Sequence, residues 1–455
     1  MIGFQSFLSS GHKGHLVGIG GVSMSSLAEV LRGMGLSIVG SDLNESNNVR
    51  ALREAGIPVR IGHAAENLDA DAEFVVRTAA VHDDNPEIVE ARRRGIPVFE
   101  RTQAWGAISS DYPNALCISG THGKTTTTSM CTHILMAADR DPTVMIGGTL
   151  PLLNAGHRVG HGNTIVMEAC EYYNSFLSFH PTVAVILNIG ADHLDFFKDL
   201  EDVERSFRLF AERVPENGYI VANADDENTM ATIAGLDRRV VSFGLGAGAD
   251  VTASKLESVG AASRFDILYH GELFTRVTLH VPGLHNVKNA LAATAAAICL
   301  GVGPDAVREG LSGFNGAGRR FEFKGKFNGA DVYDDYAHHP AELKALLDAV
   351  EQLGYTRTIL VFQPHTYSRT AALFDDFVVQ LRRPEKLMLT EIYAAREKNT
   401  IGISSRKLAD EVDGAVFCPG FDELEQQLRA MAQPGDIILT VGAGDVFKVG
   451  ERLVR

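Results

Sequence analysis

Short apolar runs alternate with helix-period segments along almost the whole chain, and that alternation leaves few folds open. "HLVGIGG" reads as a strand and turn, "VSMSSLAEVLRGMG" as a helix closed by Gly35, and "LSIVGSD" as a second strand. "EFVVRTAA" and "IPVFE" repeat the pattern, with "NPEIVEARRRG" as the helix between them. Strands joined through helices must run parallel, because each connection has to cross back over the sheet. The alternation restarts at "ALCISG", which leads on to the buried strands "TIVMEACE" and "TVAVILNIGADH". It restarts again at "ADVYDDYA", followed by a helix opened by Pro340 and by "TILVFQP", "KLMLTEIY" and "DIILTVGAGDVF". Polar "SSDYPN" and glycine-rich "SGFNGAGRR" separate these stretches. The expectation is an α/β protein of three domains, at 1–108, 109–315 and 316–455. Around 250–281 the strands alternate as antiparallel ones do, with His270-Gly271 as a turn, so the middle sheet is expected to be mixed. "NVKNALAATAAAICLG" reads as a strong helix.

Composition narrows the partners. With 45% apolar and 22% charged residues over 455 positions, the chain has the make-up of an ordinary soluble globular protein. A formal charge of −15 with no Lys/Arg run argues against nucleic acid and anionic membrane as partners. The five cysteines are scattered without a C-x-x-C pair, the pattern of free thiols in a reducing compartment. Neither a signal sequence nor a spanning apolar run is read, so a cytoplasmic location is expected. A homodimer stays open.

"CISGTHGKTTTTSM" carries the clearest chemistry. A strand enters a turn bounded by Gly120 and Gly123 and leaves into a helix, although Ile118 stands where the longer G-x-x-x-x-G-K-[ST] loop has its first glycine. Backbone N–H groups from Gly120, Thr121, His122 and Gly123 onward, through Thr126, can turn toward an anion at a helix N-terminus. Lys124 is placed on the β/γ-phosphates, and the Thr125 hydroxyl on Mg²⁺. The bland alternative is a strand–helix turn with an incidental lysine; the order strand, loop, Lys, Thr favours a nucleotide site. Two later strand ends deliver Glu168 and Glu171, then Asp192 and His193, to the edge that carries this loop. Glu168 suits Mg²⁺, a hard cation; His193 alone reads more readily as a satisfied loop histidine.

The turn "GIGGVSMSS", with Gly18, Gly20 and Gly21, is followed at the end of the next strand by Asp42. It approaches a dinucleotide fingerprint, but Ser23 replaces the third glycine; a pyrophosphate of a UDP-sugar fits as well as NAD. Asn286 and Asn289 open the alanine-rich helix, either against a purine edge or, for Asn286, as an N-cap. "DDYAHHPAE" supplies Asp335 and His339, and "FQPHTYSRT" supplies His365 and Arg369, the last a ready partner for a carboxylate or phosphate. Taken singly, each of these reads as a solvated loop.

Together, "GTHGKTTTT", "EACEYYNSF", "NIGADHLDFF", "GLHNVKNALAA", "GAGRRFE", "DDYAHHPAE" and "FQPHTYSRT" resemble the ATP-dependent Mur ligases in identity and order. The likeness extends from "GIGGVSMSSLAEVL" to the terminal "VGAGDVFKVGE". It implies a Rossmann-like N-terminal domain for a UDP-sugar, a central P-loop ATPase-type domain with a mixed sheet, and a Rossmann-like C-terminal domain. It also implies a reaction: ATP phosphorylates the lactyl carboxylate of UDP-N-acetylmuramate, and an amino acid attacks the acyl phosphate. Phosphate then leaves a tetrahedral intermediate.

Lys124, Glu168 and His193 are then the catalytic positions, with Thr125, Glu168 and His193 as ligands for two Mg²⁺ ions. Gly120 to Thr126, Asn286, Asn289, Arg320 and Asp335 fall to ATP; Gly18, Gly20, Gly21 and Asp42 to the UDP-sugar; His339, His365 and Arg369 to the amino acid. The likeness is greatest to the branch that adds L-alanine. Cys170 and Tyr172 stand where many of that branch carry Asp and Ser, and Gly190 where an acidic residue is common. Phe207 and Arg208 occupy the place of the carbamylated lysine of the later-acting branches. The competing readings are a recycling member that attaches a whole tripeptide, and a nicotinamide-dependent oxidoreductase.

Overall fold

The computed structural model describes residues 3–78, 80–395 and 397–455. Three separate sheets follow one another along the chain. The first runs Val59–Ile61, Ser37–Asp42, Lys13–Val17, Phe74–Arg77, Val98–Glu100 from edge to edge, all parallel. Its strand order reverses beside Lys13–Val17, so the turn at Gly18 lies at the switch point, where a doubly wound sheet opens a crevice. Of the expected strand "EFVVRTAA", Phe74–Arg77 is observed, and Ala79 lies outside the described residues.

The second sheet has ten strands. At its centre Asn114–Ser119 lies between Thr164–Glu168 and Val183–Ile186, all parallel. Three strand ends therefore meet on one edge: the phosphate loop, Glu168, and the segment that leads to Asp192. At one flank Val251–Val259, Ala262–Tyr269 and Glu272–Leu279 pair antiparallel. Both residues of the expected turn have positive φ, His270 at 49° and Gly271 at 80°, as a two-residue hairpin turn needs. At the other flank Thr143–Leu150 and Ala155–Arg158 form a hairpin that the pattern reading missed.

The third sheet places Ala330–Asp335, Asp436–Val441, Arg357–Phe362, Lys386–Leu389 and Val416–Phe417 in parallel, with Glu322–Phe327 antiparallel at one edge.

The helix Leu284–Cys299 buries Ala290, Ala292, Ala293, Ala295 and Ala296 completely. Small side chains let it approach the helix Lys124–Ala137 closely, which fixes the backbone behind the phosphate loop. The expected polar linker "SSDYPN" is mostly absent as such. Its serines end a helix, Arg101–Ser110, that buries Trp105 and lays Gly106 against the Ser178 carbonyl. Ser109 is fully buried, donating to the Gly106 carbonyl (2.7 Å) and accepting from the His180 N–H (3.1 Å). A serine so satisfied costs little to bury, and composition alone misreads it as loop. No helix among the described residues is long and apolar enough to cross a membrane. All five cysteines are free thiols.

Candidate active site

Gly120 and Gly123 shape the phosphate loop, with φ of 140° and 87°. A Cβ at Gly123 would lie 2.7 Å from Asn289 Oδ1, so the turn tolerates no side chain there. Asn188 pins the loop: its Oδ1 accepts from His122 N (2.9 Å) and its Nδ2 donates to the His122 carbonyl (3.0 Å). Asn188 was not singled out from the sequence, because its work is done by backbone contacts that no motif spacing shows.

Lys124 Nζ donates to the Gly120 and Thr121 carbonyls (2.5 and 3.1 Å) and to Glu171 Oε2 (2.9 Å). Burial disfavours its charge, but the Glu171 carboxylate more than compensates and holds the ammonium protonated. Thr125 Oγ1 donates to Glu168 Oε1 (3.1 Å), and Gly147 N to Glu168 Oε2 (2.8 Å). A hydroxyl and a carboxylate thus converge at the loop's end, hard oxygen donors of the kind Mg²⁺ takes when phosphates supply the rest. His193 stands apart from that pair, stacked on Tyr172 with ring centroids 4.2 Å apart and 3.7 Å from Glu171 Oε1. Tyr172 is fixed in turn by a hydrogen bond to Asp195.

Gly147 makes a test of how closely Glu168 is held. A Cβ there would come within 2.8 Å of Glu168 Oε1, so Gly147→Ala must swing the carboxylate away. The expected result is a roughly tenfold fall in turnover with an unchanged melting temperature, measured by ADP release and calorimetry. Unaltered turnover would show that the carboxylate position is not critical.

Two cavities adjoin the loop. One, of about 260 Å³, is lined by Gly123, Thr126, Asn286, Asn289, Arg320 and Asp335 among others, which brings most of the expected nucleotide residues together. Asn286 is not the N-cap: Gly283 holds that position, and Asn286 donates to the Pro282 carbonyl (2.7 Å) while accepting from Asn289 (3.3 Å). Asp335 accepts from Phe321 N and Ala337 N (2.7 and 2.8 Å); burial pushes its carboxyl up to about 6 despite the nearby Arg320. The neighbouring Arg319 is spent on structure, pairing with Asp334 at 2.9 Å and lying over the Phe447 ring.

The second cavity is a cleft of about 1260 Å³ walled by all three sheet units. Lys124, Thr125, Glu168 and His193 form its floor; Ser26 and Asn48 face it from one side, Arg320 and His338 from the other. Gly18, Gly20, Gly21 and Asp42, which build the first unit's turn, are not among the residues that line this cleft. Asp42 Oδ2 accepts from Gly20 N (2.9 Å), and Gly21 caps the helix Val22–Gly33.

Arg369 reaches across from the third unit to Asp192 Oδ1 (2.9 Å) and to His365 Nδ1 (3.2 Å). Burial opposes ionisation of Asp192, but the Arg369 guanidinium outweighs it and keeps the carboxyl well below the usual range. Of the two adjacent histidines, His339 caps the helix Pro340–Glu351 through Nδ1 and packs tilted against His122, with centroids 4.9 Å apart. His338, not named from the sequence, is the one that lines the cleft and lies edge-on to His365, 5.7 Å between centroids. Doubling of the histidine hid which of the two faces inward.

The fold and the site together define a nucleotide-dependent ligase of three α/β units, and the comparisons agree. Residues 13–113 match the Mur ligase family catalytic domain, 118–297 the Mur ligase middle domain, and 319–444 the Mur ligase glutamate ligase domain. The chain belongs to the Mur ligase family. It is 45% identical over 447 residues to the UDP-N-acetylmuramate–L-alanine ligase of Acetivibrio thermocellus, covering 97% of this chain and 95% of that one. It is 44% identical to the enzyme of the same name from Clostridium novyi, covering 99% of each. Among solved structures, the UDP-N-acetylmuramate–alanine ligase of Thermotoga maritima superposes with a TM-score of 0.82 at 30% identity, over 98% of both chains. A murein peptide ligase from Psychrobacter arcticus shares the fold, with a TM-score of 0.72 at 24% identity.

Proposed function

We propose that this chain joins L-alanine to the lactyl carboxylate of UDP-N-acetylmuramate, consuming ATP to ADP and phosphate, in the cytoplasmic synthesis of peptidoglycan precursors. The observation that carries the reading is the cleft on whose floor Lys124 meets walls from all three units. It is supported by relatives of that name that match nearly end to end. The three sheets, which share no strands, support three units, proposed at 1–108, 109–315 and 316–455, with the helix Arg101–Ser110 running through the first boundary.

In this reading the nucleotide lies in the smaller cavity, with its purine toward Asn286 and Asn289 and its phosphates on the loop. Lys124 exchanges Glu171 for β/γ-phosphate oxygens, and Arg320 reaches the same charge from the third unit. Thr125 and Glu168 would hold Mg²⁺, with His193 at a second position; the metal supplies charge neutralisation to the phosphates. The UDP-sugar enters against the first unit and presents its carboxylate to the terminal phosphate. Arg369, now paired with Asp192, is the cation positioned to receive the carboxylate of the amino acid, beside His365. Catalysis is then mainly alignment and charge stabilisation, as in other phosphoryl transfers.

The test is ADP release and product mass with purified chain. Release is expected to require both UDP-N-acetylmuramate and L-alanine, with a product heavier than the sugar nucleotide by one alanine residue. Consumption of a tripeptide in place of alanine would assign the recycling activity instead. ADP release without either acceptor would leave the chain a nucleotidase.

A further inference from the structure

An amino acid arrives in neutral water as an ammonium ion, and an ammonium has no electron pair with which to attack an acyl phosphate. If the amide-forming reading above is right, some group in the cleft has to take that proton. Three histidines of the third unit stand beside Arg369, the cation placed to receive the amino acid, and their hydrogen bonds separate them.

His365 Nδ1 faces the Arg369 guanidinium at 3.2 Å, so that nitrogen is the acceptor and its other nitrogen carries the hydrogen. His339 Nδ1 accepts from Ala341 N at 3.2 Å, and its Nε2 is buried without a partner among the described residues. Neither offers a lone pair to the cleft. His338 is arranged the other way. Its Nδ1 lies 3.0 Å from the Tyr336 carbonyl and 3.2 Å from Glu342 Oε2. Both are acceptors, so Nδ1 must carry the hydrogen and Nε2 holds the lone pair. The ring lines the cleft, and the hydrogen bond it makes among the described residues runs through Nδ1.

We propose that His338 is the base that takes the proton of the incoming amino-acid ammonium, and that Glu342 is its positioning residue. An imidazole whose Nδ1–H is bonded to a backbone carbonyl, with a carboxylate 3.2 Å away and Nε2 toward the substrate, is held in one tautomer and has its charged form stabilised. Glu342 is itself fixed: Oε2 accepts from His338 N (2.9 Å), Oε1 faces His122 Nδ1 of the phosphate loop (3.3 Å), and Arg320 stands 3.9 Å away. The carboxylate that orients the base therefore also touches the loop that holds the nucleotide. Burial and the Arg369 charge favour the neutral ring, while Glu342 and Asp192 work against them; the balance lies on the neutral side.

One N–H bond of the ammonium breaks toward Nε2, and the freed pair forms the C–N bond at the acyl-phosphate carbon. The C–O bond to phosphate then breaks, its electrons leaving with inorganic phosphate. The second N–H proton departs with phosphate or to solvent, and the imidazolium returns its own to solvent.

The test replaces the nucleophile. Hydroxylamine is unprotonated at neutral pH and needs no base, so it traps the acyl phosphate as a hydroxamate without His338. With full-length His338→Gln, L-alanine ligation is expected to fall about 100-fold or more, while hydroxamate formation from UDP-N-acetylmuramate and ATP changes less than about threefold. Glu342→Gln is expected to move the acidic limb of the alanine pH profile to lower pH, because the imidazolium loses its carboxylate. A parallel fall in hydroxamate would make His338 structural and overturn the proposal, as would undiminished ligation of alanine. A wild-type chain that yields alanine product but no hydroxamate also overturns it. If the wild type makes neither, the amide-forming reading itself has failed, and the base assignment goes with it.

Discussion

Lys124→Met is expected to cut turnover at least about 1000-fold while leaving UDP-N-acetylmuramate binding within about twofold of wild type. A cation that stabilises the charge of a transferring phosphoryl group is worth roughly 10³–10⁵ in rate, and here the lysine is the phosphate loop's only ammonium. A confounding effect has to be separated. Glu171, 2% exposed, faces Lys124 at 2.9 Å, and the single variant strands that carboxylate in the interior. Stranding a buried charge destabilises by ~3–5 kcal/mol in typical cases, so a loss of activity could be a loss of fold. The double variant Lys124→Met/Glu171→Gln removes both charges. It is expected to recover most of the melting temperature and none of the turnover, as read by calorimetry and ADP release. Recovery of turnover in the double variant would show that Glu171 was the harm and that Lys124 is not the phosphate-binding group.

Three features of the chain were open to reading without coordinates, and each has a local cause. The parallel units follow from strand and helix periods that alternate cleanly. The phosphate loop follows from two glycines whose φ values no other residue takes easily. The hairpin at His270-Gly271 follows from turn chemistry. What stayed hidden is made by long-range contact. Asn188 acts on the loop from 66 residues away, and Glu342 reaches His122 from 220 away. Gly147 belongs to a flanking hairpin whose strands are too short and glycine-rich to show a period. The choice between His338 and His339 turns on where a helix begins: His339 is drawn to the N-cap by Pro340 at the first helical position, which leaves its neighbour free to face the cleft. Asn286 fails as a cap for a related reason, since the helix starts at Leu284 and not three residues later, at Val287. Helix boundaries, decided by packing, settled both cases.

The largest expected effect on stability lies far from the chemistry, in the first unit. Glu87 is fully buried and serves four donors: His15 Nε2 (2.6 Å), Ser41 Oγ (2.7 Å), His63 Nδ1 (3.0 Å) and Asn67 Nδ2 (3.0 Å). They come from two strands and from the segment that follows the strand Val59–Ile61, so the carboxylate ties the sheet to the helix Pro86–Arg93. Burial would raise its carboxyl, but the bonds from His15, Ser41 and Asn67 outweigh it and hold it at about 2. The folded value lies below the unfolded one near 4.3. This network therefore stabilises fully above that unfolded value, and its contribution is lost as the pH falls toward 2. Glu87→Ala leaves at least three donors without an acceptor in a dry interior and is expected to cost ~3–5 kcal/mol. For a unit of this size that moves its melting transition down by more than about 10 °C. The exposed pair Arg53–Glu45, 2.8 Å apart, is the internal comparison, and Glu45→Ala should leave the transition in place. Because three units need not unfold together, the measurement is amide exchange of the first unit's strands and not a single global melt. Exchange in Lys13–Val17 is expected to accelerate in Glu87→Ala, and in the wild type as the pH drops below about 4 once the chemical rate is divided out. Equal protection in both chains would mean that the four donors find water when the carboxylate is gone, and that the sheet is held by its apolar faces alone.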